Sequence, residues 1–179
     1  MIAAAMTCGD VIVDNVLPEH QKPLIAKLRE AGAIVEEDID KVRVIGNGTL
    51  KGVSVKTLPY PGFPTDMQAQ IMAMMVVSEG NSKVTETVFE NRFMHVEELN
   101  RMGATITTAD RSANIEGPAK LVGCDVRATD LRAGAAMILA GLVAEGETRI
   151  GDLHHIDRGY EDIVEKLKNL GADIERVDV

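Results

Sequence analysis

Two short stretches of this 179-residue sequence place a threonine–aspartate pair in front of an apolar, helix-like run. Thr65-Asp66 precedes MQAQIMAMMVV, and Thr129-Asp130 precedes LRAGAAMILAGLVA. In each stretch we predict threonine as the N-cap and aspartate as the first helical residue. Free backbone N–H groups and the positive end of the helix macrodipole gather at such a start. Two neighbouring starts would therefore form an anion-binding site.

The chain repeats itself at intervals of about 70 residues, far longer than most solenoid repeats. The clearest marks are LREAGA at 28–33, LNRMGA at 99–104 and LKNLGA at 167–172. Each unit has the pattern of an apolar helix, a β-branched strand, an amphipathic helix and a hairpin. The last unit should end in the strand ADIERVDV. We predict a single domain, 1–179, with repeats at about 1–52, 53–122 and 123–179.

The helices that open the units are apolar on nearly every face, which predicts that they are buried on all sides. They cover 1–8, 67–79 and 131–145. The strands VIVDNV, KVTETVF and TRIGDL alternate polar with apolar residues, so each sheet should face water on one side. The predicted fold class is α/β of an inside-out type, with βαβαββ-like repeats whose helices lie inside three outer sheets. Counting back along the repeat, the domain is expected to be incomplete at both ends.

Composition excludes several functions. The chain carries 19 basic and 28 acidic residues, a net charge of -9, which argues against nucleic acid as a partner. It has no apolar run long enough to span a membrane and no basic leader, so no membrane partner is predicted. Cys8 and Cys124 lack metal-ligand spacing, and the four histidines form no metal motif. We predict a cytoplasmic protein without a metal site.

Four motifs, in order along the chain, resemble those of the UDP-N-acetylglucosamine 1-carboxyvinyltransferases, the enolpyruvyl transferases of peptidoglycan precursor synthesis. They are YPGFPTDMQAQ at 60–70, TVFENRFMH at 87–95, TDLR at 129–132 and HIDRGYE at 155–161. The resemblance runs from about Ala3 to the end. The shikimate-pathway enolpyruvyl transferases share the inside-out fold but not these motifs.

This resemblance implies two inside-out domains that face each other across a cleft, with this chain matching most of the second. The family transfers the enolpyruvyl group of phosphoenolpyruvate to the 3-hydroxyl of UDP-N-acetylglucosamine, through a tetrahedral intermediate, and releases phosphate. It requires no cofactor. The partners implied are these two substrates and the first domain.

The resemblance also assigns roles to two aspartates. Asp66 matches the family aspartate that contacts the sugar hydroxyl and is proposed to accept its proton. A carboxylate at a helix start should be held ionised, so we expect positioning and proton relay rather than strong base catalysis. Asp130 matches a cleft aspartate that orients its neighbours or shuttles a proton.

Three arginines, Arg92, Arg132 and Arg158, match family arginines at the cleft. A phosphate and a carboxylate need fixed cationic forks, which arginine supplies better than lysine. Arg158 is expected on phosphoenolpyruvate, with Arg132 close by. Val88, through its backbone, and Phe89 are expected beside the sugar nucleotide.

The catalytic cysteine of the family lies on a mobile loop of its first domain, and neither Cys8 nor Cys124 matches it. This chain alone is therefore expected to have no turnover and to bind UDP-N-acetylglucosamine weakly at best. Two alternatives stay open. One is a domain of a shikimate-type enolpyruvyl transferase, and the other is a truncated, non-catalytic interaction module.

Overall fold

The computed structural model describes residues 1–177, in which short sheets surround a group of apolar helices. The helices are α1 (Ile2–Met6), α2 (Pro18–Glu30), α3 (Gln68–Val76), α4 (His95–Arg101), α5 (Leu131–Gly141), α6 (His154–Asp157) and α7 (Ile163–Asn169). The strands are β1 (Asp10–Asp14), β2 (Ile34–Glu37), β3 (Lys41–Ile45), β4 (Ser54–Lys56), β5 (Gly80–Thr85), β6 (Thr105–Ala109), β7 (Ser112–Gly117), β8 (Asp125–Arg127) and β9 (Arg149–Gly151). A 3-10 turn, Thr65–Met67, leads into α3.

The strands of the described residues form three sheets. The first has the order β1-β3-β2 and is antiparallel throughout. The second has the order β4-β5-β7-β6, in which only β4 and β5 pair in parallel. The third consists of the parallel pair β8 and β9. The predicted succession of strand, helix, strand, helix, strand, strand is complete from β4 to β7.

The helices predicted to be internal are internal. All nine residues of α3 are buried, as are seven residues of α5 and four of α1. These three helices pack against one another, and each also contacts its own sheet. The strands alternate between exposed and buried positions, as in β3 and β7, so each sheet has one wet face. The inside-out arrangement predicted from apolar periodicity is thus confirmed.

The glycine of each repeated mark ends a peripheral helix. Gly32, Gly103 and Gly171 follow the last turns of α2, α4 and α7 with φ values of 103°, 105° and 95°. This left-handed conformation strains a residue that carries a Cβ, which explains why glycine recurs there.

The predicted N-caps are wrong. The N-cap of α5 is Asp130, whose extended backbone lets its carboxylate accept hydrogen bonds from the N–H groups of Arg132 and Ala133. The turn before α3 begins after Pro64 and has no side-chain cap, because the Thr65 hydroxyl bonds elsewhere. Asp130, one residue after Thr129, thus satisfies the free N–H groups of the first turn of α5.

The C-terminal segment also differs from its prediction. The helix expected over 159–170 is shortened to α7, which begins only after Asp162 in a left-handed conformation, and the short helix α6 precedes the predicted range. Residues 172–177 of the predicted final strand are not in a strand, since they pair with no strand among the described residues. Residues 178–179 of that prediction lie outside the described residues. No helix within 1–177 combines the length and apolar character that crossing a membrane requires.

His95, the first residue of α4, gives the fold a predicted sensitivity to acid. It is 3% exposed, and burial lowers its pKa from 6.5 to about 4, against a small opposing effect of Asp130. Below pH 6.5 the unfolded chain binds a proton that the folded chain does not. The free energy of unfolding should therefore fall by about 3 kcal/mol as the pH is lowered from 6.5 to 4.

Urea denaturation at several pH values measures this loss. His95→Leu should flatten the dependence on pH in that window, because the variant has no group there to titrate. His20→Gln, a change at an exposed histidine of α2, serves as the control and should keep the slope of the parent. An unchanged slope in His95→Leu would contradict the assignment.

Candidate functional site

Asp66 lies in the turn before α3 and contacts two arginines from distant parts of the chain. Its Oδ1 lies 2.6 Å from Nε and 2.5 Å from Nη2 of Arg132, in the first turn of α5. Nη1 of Arg92, from the segment between β5 and α4, lies 3.4 Å from the same oxygen. We call these three residues the Asp66 cluster. The starts of α3 and α5 therefore meet, as the sequence predicted.

The Asp66 cluster is open to a ligand on its acidic side. The Asp66 side chain is 67% exposed, whereas those of Arg92 and Arg132 are 17% and 24% exposed. The guanidiniums are thus held by the protein, while the carboxylate between them faces solvent. Fixed guanidiniums beside an accessible carboxylate can bind an anion and orient a hydroxyl together.

Asp130 acts on the Asp66 cluster through the backbone of Arg132. Its Oδ1 accepts hydrogen bonds of 2.7 Å from Arg132 N and 2.9 Å from Ala133 N. These bonds fix the first turn of α5, from which the Arg132 side chain extends to Asp66. The geometry accordingly makes Asp130 an orienting residue.

Tyr160 lies beside the Asp66 cluster, because α6 packs closely on α5. A Cβ added at Gly134 of α5 would come within 2.5 Å of Cγ1 of Ile156, so only glycine allows this approach. Tyr160 follows α6, and its hydroxyl accepts a 3.2 Å hydrogen bond from Nε2 of Gln70 in α3. Burial raises the pKa of this hydroxyl. The sequence marked Tyr160 as one of few aromatics but did not predict its contact with Gln70.

Arg158 is the predicted site residue that the structure does not join to the cluster. It is exposed and forms the C-cap of α6. Within residues 1–177 its side chain makes no hydrogen bond or ion pair, although its backbone N–H donates to Ile156 O. Asp66, Arg92, Asp130 and Arg132 are thus brought together, and Arg158 stands apart as an unengaged cation.

Val88 and Phe89 lie in an exposed loop, and their backbone is already engaged. Their N–H groups donate hydrogen bonds of 2.9 and 3.1 Å to Oε1 of Glu86. The Val88 carbonyl accepts no hydrogen bond from a described residue and is available to a ligand. The Phe89 ring lies 4.0 Å from Cζ of Arg92, in a cation–π contact. The ring and this guanidinium line an open cleft of about 280 Å³.

Glu86 is the site residue that the sequence analysis missed. It directly follows β5 and is 1% exposed. A signal was present, because Glu86 shares the strand face of the buried Ser82 and Val84. A carboxylate in register with a buried stripe requires hydrogen-bond partners. In the part of the chain that the structure describes, no cluster of His, Cys, Asp or Glu could hold a metal ion.

The chain is similar to known proteins in both sequence and fold. Residues 1–167 match the protein family described as EPSP synthase (3-phosphoshikimate 1-carboxyvinyltransferase). The chain belongs to this family. Among solved structures of enolpyruvyl transferases, NikO from Streptomyces tendae superposes with a TM-score of 0.86 at 30% identity, over 96% of this chain and 41% of that one. EPSP synthase from Acinetobacter baumannii gives a TM-score of 0.68 at 19% identity, over 89% of this chain and 40% of that one, which supports the fold alone.

Sequence relatives of this EPSP synthase family member are named UDP-N-acetylglucosamine 1-carboxyvinyltransferase. The protein from Finegoldia magna is 60% identical over 100% of this chain and 43% of its own length. The protein from Carboxydothermus hydrogenoformans, named UDP-N-acetylglucosamine 1-carboxyvinyltransferase 2, is 63% identical over 99% of this chain and 43% of its length. The chain thus spans about two fifths of the relatives it matches.

Proposed function

We propose that this chain forms one wall of the cleft of a UDP-N-acetylglucosamine 1-carboxyvinyltransferase. In this proposal the enolpyruvyl group of phosphoenolpyruvate passes to the 3-hydroxyl of UDP-N-acetylglucosamine in peptidoglycan precursor synthesis. The observation that carries the proposal is the Asp66 cluster, in which an exposed carboxylate lies between two fixed guanidiniums. Such a site offers an acceptor for a hydroxyl proton and positive charge for an anion in one place.

Asp66 contacts the sugar hydroxyl in this proposal and takes part in moving its proton. Its carboxylate is reachable, and Arg132 holds it by two contacts to one oxygen. Asp130 fixes the turn that carries Arg132 and so determines where that guanidinium lies. We assign Asp66 positioning and proton relay, with Asp130 as its indirect support.

The arginines supply the positive charge that the reaction needs. Phosphoenolpyruvate and its tetrahedral adduct carry a phosphate and a carboxylate, which guanidiniums bind through paired hydrogen bonds. Arg92 and Arg132 belong to the Asp66 cluster. The Arg158 side chain has no partner among the described residues and is available to bind phosphoenolpyruvate. The Val88 carbonyl and the Phe89 ring would lie beside the sugar nucleotide.

The shikimate-type alternative has weaker support. The four motifs resemble those of the UDP-N-acetylglucosamine enzymes, and the relatives of that name are 58–63% identical. The EPSP synthase structures are only 19% identical. A non-catalytic interaction module would have no need to hold two arginines against one exposed aspartate.

Several wider features belong to the same proposal. We infer a single domain with three repeats, at about 1–52, 53–122 and 123–179, that works in the cytoplasm opposite a second domain. The proposal includes no cofactor, because the Asp66 cluster would bind and orient the substrates through side chains alone. Because this chain holds one side of the cleft, we expect it to bind the sugar nucleotide weakly and to show no turnover.

A titration of the 179-residue chain, followed by 1H–15N NMR, tests this proposal. UDP-N-acetylglucosamine should shift the amide signals of Val88, Phe89 and Arg132, near the helix starts. Those of Met6, the last residue of α1, and Val143, just after the C-terminal end of α5, should stay in place. Shikimate 3-phosphate should cause no saturable shift. Saturable shifts with shikimate 3-phosphate alone, or only at Met6 and Val143, would overturn the proposal.

A further inference from the structure

Glu86 is a buried carboxylate surrounded by four hydrogen-bond donors. Its Oε1 accepts from Thr57 Oγ1 at 2.8 Å, Val88 N at 2.9 Å and Phe89 N at 3.1 Å. Its Oε2 accepts from Thr65 Oγ1 at 2.9 Å. These donors come from the end of β4, from the turn before α3 and from the loop after β5. One side chain therefore joins three segments that border the Asp66 cluster.

The direction of these hydrogen bonds is determined by their partners. Thr57 Oγ1 accepts from Thr87 N at 2.9 Å, and for its own proton Glu86 Oε1 at 2.8 Å is a much closer acceptor than Thr85 O at 3.5 Å. Thr65 Oγ1 accepts from Nη1 of Arg92 at 3.1 Å, so its proton also points to Glu86. An ionised carboxylate can only accept hydrogen bonds, which fits all four contacts. A continuous chain of bonds thus runs from Glu86 through Thr65 and Arg92 to Asp66.

We propose that Glu86 is a positioning residue, which aims the Arg92 guanidinium through the Thr65 hydroxyl and holds the Val88–Phe89 backbone in its ligand-facing conformation. Glu86 itself is buried and reaches no ligand. By accepting a hydrogen bond from the Thr65 hydroxyl, it leaves the lone pairs of that hydroxyl turned toward Arg92. The ligand expected at Arg92 rests on the proposed function, whereas the orientation of Arg92 does not.

The variant Glu86→Gln distinguishes the roles of the two oxygens of this carboxylate. The amide oxygen can keep the three donors of Oε1, while the amide nitrogen replaces Oε2 and points a donor at Thr65. The Thr65 hydroxyl then meets two donors and its own proton loses its acceptor, so the lone pair offered to Arg92 is no longer held in one orientation. We expect the Val88 and Phe89 amides to stay protected from hydrogen exchange, while the Arg92 side-chain Nε–H signal shifts and broadens. The dissociation constant for UDP-N-acetylglucosamine should rise about 3- to 10-fold.

Two further variants distinguish positioning from a purely structural role. Thr65→Val removes the linking hydroxyl, and Thr65→Ser keeps it. If Glu86 acts through Thr65, the pair Glu86→Gln with Thr65→Val should bind no worse than Thr65→Val alone. Thr65→Ser should restore the Arg92 signal and the affinity of the parent. Glu116→Gln, an exposed change on β7 of the same sheet, is the matched control and should change neither readout.

The role of Glu86 and the proposed function can fail independently of each other. A lower melting temperature of Glu86→Gln with an unchanged Arg92 signal would overturn the positioning role and leave Glu86 as a structural residue. Additive effects of the Glu86 and Thr65 variants would overturn the path through Thr65. If the parent chain shows no response to UDP-N-acetylglucosamine, the proposed function fails. The Arg92 signal still decides the role of Glu86 in that case.

Discussion

Asp66→Asn is expected to lower kcat by about 10²- to 10⁴-fold, the range that a positioned proton-transfer group contributes. The assay uses a chimera in which residues 1–179 replace the matching 43% of the Finegoldia magna relative. The asparagine keeps the size of the side chain and can still accept a hydrogen bond from Arg132. It loses the charge that balances two guanidiniums and the capacity to relay a proton. Phosphate release from phosphoenolpyruvate measures the rate.

Asp10→Asn provides the matched control for Asp66→Asn. Asp10 also accepts two hydrogen bonds from one arginine, Arg43, but it lies on β1 in the outer sheet. This variant should keep the kcat of the chimera. Near-normal turnover of Asp66→Asn would remove Asp66 from catalysis and leave it an ordinary ion-pair partner.

Ile71→Ala is expected to lower the free energy of unfolding by about 2–5 kcal/mol, as large-to-small changes in a packed core do. Ile71 lies in α3 and is 0% exposed, as are Met72, Met74 and Met75 beside it. A helix buried on all sides has no room to relax toward solvent, so the cavity should remain largely open. Urea denaturation of the 179-residue chain measures the loss.

Ile39→Ala removes the same atoms from a side chain that is 89% exposed, in the turn between β2 and β3. It should change the free energy of unfolding by less than about 0.5 kcal/mol. Equal effects at the two positions would contradict the inside-out architecture, because α3 would then have to face solvent.

The interior of the fold could be predicted because periodicity reports burial directly. Segments such as QAQIMAMMVV have no polar face, which leaves only the core for α3. The strands β4 and β8 span three residues each and are too short to show a pattern. The N-caps depended on backbone angles at single residues. Asp130 took this position in α5 through an extended conformation that composition does not reveal.

The site residues that lie in recognisable motifs could be predicted from the sequence. Those whose role depends on contacts between distant segments could not. Asp66, Arg92 and Arg132 came from motifs, and the structure brings them together. Glu86 was missed, since its partners Thr57 and Thr65 lie 29 and 21 residues away along the chain. The buried stripe of β5 indicates that Glu86 is buried, but no local pattern identifies these partners.

The most direct test of the proposed function is phosphate release from phosphoenolpyruvate by the same chimera, with two acceptors compared. Under the proposed function, release is expected with UDP-N-acetylglucosamine and should depend on Asp66, and no release is expected with shikimate 3-phosphate. A chimera that folds as stably as the Finegoldia magna enzyme, yet releases no phosphate with UDP-N-acetylglucosamine or does so with shikimate 3-phosphate, would contradict it.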